Sequence, residues 1–158
     1  MSNTNNILDY LFRQKSFIFG GYVYKHTIRG ESTEDIDVAV PNDKFDEIIF
    51  DLQIEHKCKI LTLDRDNIKF AKITCNETLF DIQDQKSIIR LLSKSEIELT
   101  RLILSNHDKF MYITDDHKLV HNSSKIKEII GNTLNNKINS KTFKKYKHQK
   151  YFQDWSTY

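Results

Sequence analysis

Two aspartates one residue apart, Asp35 and Asp37, sit at the head of an otherwise apolar run that ends at Val40. In a strand, side chains alternate across the sheet. Asp35 and Asp37 then share one face with Ala39, while Ile36, Val38 and Val40 point the other way, toward a core. Upstream, a short apolar run, Phe17 to Phe19, ends in Gly20-Gly21, and a helix-length spacer leads to the acids. Two carboxylates on one rigid strand beside a glycine turn can hold a divalent cation next to a phosphate, and the rest of the chain is read around that pair.

The remaining pattern alternates helices and strands. Ile7, Leu8, Leu11 and Phe12 have helical spacing, with Asn3 or Thr4 as cap. Residues 16–19 suit a buried strand, and 22–28 a short helix ending at Gly30. Residues 35–40 form the acid-bearing strand, closed by Pro41. Asn42 can cap a helix whose apolar positions are Phe45, Ile48, Ile49 and Leu52. Three β-like runs follow at 59–63, 68–74 and 78–83, separated by polar hairpin-type breaks. From Ser87 the pattern is helical again. Ser95 and Glu98 fit a capping box ahead of Leu99, Leu102 and Ile103. Residues 110–113 and 118–121 flank Asp115-Asp116 as a hairpin, 124–130 is a short helix stopped by Gly131, and a last helix is expected over 141–152. The expected fold is α+β: a small mixed sheet of about five strands flanked by helices, with a C-terminal helical and hairpin extension. The 158 residues make one domain, a core over about 7–105 and an extension over about 106–158.

Composition narrows the class. With 39% apolar and 29% charged residues the chain is that of a soluble globular protein. A net charge of +2 is too small to imply nucleic-acid binding by itself. Its distribution is more telling: Lys137, Lys141, Lys144, Lys145, Lys147 and Lys150 occur with no intervening acid, and Phe143, Tyr146, Tyr151, Phe152 and Trp155 are interleaved. Lysines can meet phosphates and aromatics can stack bases; a helix docking its aromatic face explains the same pattern. Cys58 and Cys75 suggest buried thiols in a reducing compartment, and no basic-then-apolar leader or apolar run of ~20 residues is present, so a cytoplasmic protein without membrane contact is expected.

Asp81 completes a possible site. It lies mid-strand between Phe80 and Ile82, where a charge is costly without a partner. If its strand neighbours 35–40, three carboxylates converge, an arrangement suited to Mg²⁺ or Mn²⁺ and to in-line phosphoryl displacement. Gly20 and Gly21 would let the backbone approach a triphosphate. Asp115, Asp116, His117 and His121 are better explained as a polar turn than as a second metal site.

Gly20-Gly21, the spacer and Asp35-Ile36-Asp37 resemble the nucleotidyltransferase superfamily that includes DNA polymerase beta, and within it the head domain of CCA-adding enzymes and bacterial poly(A) polymerases. The resemblance spans about 17–83. It implies that Asp35, Asp37 and Asp81 are catalytic and metal-binding, with Asp81 taking the acceptor hydroxyl's proton, and that Gly20 and Gly21 border the nucleotide. Tyr24 and Lys25 stand where the family has Arg-Asp, so Lys25 and Arg29 become the candidate phosphate-facing cations. Ser95 and Glu96 replace an Arg-Arg pair, and Glu98-Leu99-Thr100 stands at an Asp-Phe-Thr segment. The implied activity is metal-dependent transfer of NMP from an NTP to a hydroxyl, with an RNA 3′ end as the first choice of acceptor. NMP transfer to a protein or small molecule, or a non-catalytic nucleotide- or nucleic-acid-binding domain, are the alternatives.

Overall fold

The computed structural model of the chain describes residues 3–33 and 35–134. The basic, aromatic segment and the helix expected over 141–152 lie outside the described residues. Helix α1 (Thr4–Arg13) opens the fold, with the Asn3 side chain accepting from the Asn6 amide at 2.8 Å. Then come β1 (Phe17–Phe19), the helix Tyr22–Ile28, which is wound with π-type bonding, and β2 (Asp35–Val40). A 3-10 turn, Asn42–Lys44, precedes α2 (Phe45–Ile54), so Asn42 opens that turn rather than capping the helix. Next are β3 (Lys59–Asp64), β4 (Phe70–Cys75), β5 (Thr78–Asp84) and α3 (Gln85–Leu92). A second 3-10 turn, Glu98–Arg101, leads to β6 (Leu102–Asn106), β7 (Lys109–Ile113), β8 (Leu119–Val120) and α4 (Ser123–Leu134).

The fold is α+β, but the sheet has eight strands among the described residues rather than about five, in the order β3-β4-β5-β2-β1-β6-β7-β8. Two causes account for the difference. The expected hairpin over 110–113 and 118–121 is β7–β8, and it joins the main sheet through β6. The stretch after Ser95 is not a helix: Leu102, Ile103 and Leu104 are all buried, because a strand covered on both faces needs no polar alternation. Helix α4 also continues through Gly131 to Leu134, where a stop was expected.

Among the described residues only β2 and β5 pair in parallel; the other strand pairs are antiparallel. One face of the sheet carries Ile36, Val38, Val40, Ile73, Phe80 and Ile82 against the apolar stripes of α1 and α2. Tyr10 ties those helices together, its hydroxyl donating to Asp51 at 2.5 Å. The opposite face holds a smaller cluster of Phe17, Phe19, Ala39, Ile103 and Ile113 with Ile88 and Leu92 of α3. That helix starts at Asp84, whose carboxylate accepts from the Ser87 amide at 3.2 Å, and it covers the Ala39 end of the face. The other end of the same face carries the acids. Cys58 and Cys75 are both buried free thiols, and burial beside Cys75 pushes the Cys58 thiol well above its ordinary value. No helix among the described residues is long and apolar enough to cross a membrane.

Candidate active site

The parallel pairing of β2 and β5 sets Asp37 directly opposite Asp81 and Asp35 opposite Leu79. With the two-residue period of a strand, Asp35, Asp37 and Asp81 therefore share one face, beyond the end that α3 covers. Burial grades them: Asp37 is 2% exposed, whereas Asp35 and Asp81 are half-buried. Asp37 lies in the middle of the sheet, flanked by Asp81 on one side and by Phe19 of β1 on the other.

Gly20 explains how that carboxylate fits. The residue has φ +77°, and a Cβ built on it would lie 2.4 Å from Oδ2 of Asp37. Any side chain there would collide with the acid, and the left-handed backbone disfavours one in any case. Gly21 follows as the first residue before the helix Tyr22–Ile28, with ordinary helical φ and ψ. The Gly20 carbonyl accepts from the Val23 amide at 3.1 Å, so the glycine pair both abuts Asp37 and starts the helix.

The two cations inferred from the sequence lie on that helix and just past it. Arg29 stacks over the Tyr24 ring at 4.7 Å, approaches Glu31 at 3.9 Å, and donates to the Thr133 carbonyl of α4 at 3.5 Å. Burial raises the Tyr24 phenol above its usual pKa, and the guanidinium partly counters this. Lys25 is half-buried, and its carbonyl accepts from the Glu31 amide at 2.8 Å. Gly30, at φ +72°, closes the helix as the sequence predicts.

A cation that sequence reasoning passed over is Lys72. On β4 it is the register partner of Asp81, and its Nζ lies 3.9 Å from Oδ1 of that acid. The signal was present: Ala71 and Ile73 are core residues, so alternation puts Lys72 on the face of Asp81.

Among the described residues no group of three or more His, Cys, Asp or Glu side chains is arranged as a metal-binding cluster. The donor set of Asp35, Asp37 and Asp81 nonetheless fits a hard divalent cation, since it offers carboxylate oxygens alone. The polar turn around Asp115 and Asp116 is accounted for by protein contacts: Asp115 accepts from Arg101, and Asp116 bonds Thr114 and Lys118. His107 pairs with Asp9, and His26 stacks on Tyr22.

No protein-family model matches the chain, and no curated protein matches it. Solved structures do. A tRNA-processing enzyme in an apo form superposes with a TM-score of 0.53 at 12% identity, over 82% of this chain and 36% of that one. A CCA-adding enzyme in complex with ATP gives 0.51 at 13% identity, over 78% and 31%. The Thermotoga maritima CCA-adding enzyme complexed with tRNA gives 0.51 at 14%, over 80% and 32%. The chain thus spans about a third of the length of the solved structures it matches. At such identities the likeness is one of fold, and this chain has the nucleotidyltransferase-type fold found in the CCA-adding enzymes.

Proposed function

We propose that the chain is a metal-dependent nucleotidyltransferase that moves NMP from an NTP to a hydroxyl, with an RNA 3′ end as acceptor. The observation that carries this reading is the β2–β5 register, which sets Asp37 opposite Asp81 and puts Asp35 on the same face, against a glycine that admits no side chain. In this reading Asp35, Asp37 and Asp81 would hold Mg²⁺ or Mn²⁺. Such an ion, when bound, neutralises phosphate charge and lowers the barrier to attack at phosphorus.

The chain's own groups do the rest. Gly20 and Gly21 let the backbone approach the triphosphate closely. Lys72, already beside Asp81, adds positive charge on the same face, as Lys25 and Arg29 would from the helix side. Asp81 takes the proton of the acceptor hydroxyl. That oxygen bonds to the α-phosphorus, the bond to the bridging oxygen breaks, and pyrophosphate leaves. The preference for RNA rests on the fold shared with enzymes described as tRNA-processing and CCA-adding.

The test is incubation of the protein with Mg²⁺, each labelled NTP, total RNA and lysate protein. Label is expected in the RNA fraction, with pyrophosphate released, and is expected to vanish with Asp37→Ala. Label in protein or in a small molecule instead would change the acceptor. Nucleotide binding with no label transfer in any fraction would sink the enzymatic reading.

A further inference from the structure

Beside the strand ends that bear the acids lies a cavity of about 410 Å³ that the reaction outlined above does not use. This size falls within the ~300–1,000 Å³ of pockets that take small organic ligands. Three distant segments meet there: the start of α1 with Asn3 and Asn5, the helix Tyr22–Ile28 with Tyr22 and His26, and the beginnings of the parallel strands, with Thr33 just before β2 and Thr78 opening β5. Ile36 also lines it. This residue stands between the two acids of β2 and points to the opposite face of the sheet. The cavity therefore opens at the acid end of the strands but on their other side.

Its chemistry is distinctive. Among the described residues the lining contains amides, hydroxyls and two aromatic rings, with no carboxylate, ammonium or guanidinium. A phosphate would find no fixed charge there, and a purely apolar ligand would leave the amides unmet. Tyr22 and His26 stack at 4.4 Å with ring planes 13° apart, giving a flat surface of the kind on which bases stack. Asparagine offers a donor and an acceptor side by side, the pairing that reads a base edge. Asn3 uses its amide oxygen to cap α1, whereas Asn5 has no part in that cap. Thr4 and Thr78 already bond each other at 3.1 Å. The Thr33 hydroxyl oxygen, by contrast, is buried and has no hydrogen-bond partner among the described residues. A buried polar atom of that kind calls for a partner, which the edge of a ligand supplies.

We propose that this cavity is a nucleobase site, occupied by the base of the NTP or by that of the acceptor's terminal nucleotide. Base binding stands by itself; only the choice between these two sources rests on the transferase reading.

The experiment measures binding of adenosine, guanosine, cytidine and uridine to the full chain by calorimetry in EDTA, so that neither metal nor phosphate contributes. Saturable binding of at least one nucleoside is expected. It should weaken roughly tenfold with His26→Ala and with Asn5→Ala, for loss of stacking and of an edge hydrogen bond, and stay unchanged with Asp37→Asn. Circular dichroism confirms that both variants fold, which their exposed positions favour. Absence of saturable binding at millimolar nucleoside, or binding that both variants leave intact, overturns the proposal. Displacement of the nucleoside by NTP with Mg²⁺ assigns the site to the incoming nucleotide, and displacement by a short RNA alone assigns it to the acceptor. Displacement by neither overturns the link to both sources. Nucleoside binding in a protein that transfers no label would leave the site standing and remove the transferase reading, so the two failures are distinguishable.

Discussion

On one half of the sheet Lys72 reaches Asp81 from the adjacent strand, 3.9 Å away, with 46% of the lysine side chain exposed. On the other half Arg101 is only 10% exposed and pairs with Asp115, which is 89% exposed. The guanidinium also donates to the carbonyls of Ser93 at 2.7 Å, Ser95 at 3.0 Å and Ile113 at 3.3 Å. Arginine's fixed fork meets four acceptors at once and stitches the end of α3 to β7. The lysine is a point charge on a flexible stem, and its contact is long. Arg101 is thus committed to the backbone, so that no ligand can take its place. The Lys72–Asp81 contact lies on an open face where a ligand can compete for either member.

This contrast can be broken in a graded way. The largest effect is expected from Asp37→Asn, which keeps the shape and removes the charge: label transfer should fall on the order of 10³-fold, while the melting temperature holds or rises. A large loss of stability instead would place Asp37 with Arg101 as a structural charge. Next, Arg101→Met should destabilise by about 3 kcal/mol, roughly 1 for each carbonyl left without its donor, measured by urea unfolding. A change below about 1 kcal/mol would show that water replaces the guanidinium readily.

Gly20→Ala belongs to both sides of the comparison, because the clash falls on Asp37, the acid on which the proposed chemistry rests. A loss of about 1–2 kcal/mol is expected from the left-handed backbone alone, together with a clear fall in transfer activity; an unaltered enzyme would mean that Asp37 moves aside freely. The smallest stability effect is expected from Lys72→Met. The half-exposed pair should contribute under ~0.5 kcal/mol, yet activity should drop about tenfold if the ammonium meets substrate phosphate. Equal activity would confine Lys72 to the role of a surface ion pair.

Much of the acid half was legible from residues alone. Asp35 to Val40 is bounded by a loop and Pro41 and carries its two acids at a two-residue spacing, so both its extent and the acids' shared face follow from period and punctuation. The four apolar positions of α2 follow from helical spacing, and all four are buried. The pairing of β2 with β5 was a supposition, since register between distant strands leaves no local mark. Leu99, Leu102 and Ile103 mimic a helix because a strand buried on both faces loses its period of two. Gly131 failed as a stop because it is a helical residue with open space where a Cβ would go, so the helix bears it at modest loss. The role of Arg101 has no sequence signal, since nothing in its neighbours announces four acceptors converging from elsewhere.

The parallel pairing of β2 with β5 has a consequence for how the protein comes into being. Antiparallel strands can zip from a tight turn, but β2 and β5 cannot, because the chain must first leave the sheet, build α2 and the β3–β4 hairpin, and return. The conformational entropy lost in closing that long excursion is repaid only when β5 arrives. A nascent chain that ends before Thr78 can carry α1 and α2 but never both facing acids. The pairing that brings Asp37 opposite Asp81 is thereby tied to the last step of assembling the acid half.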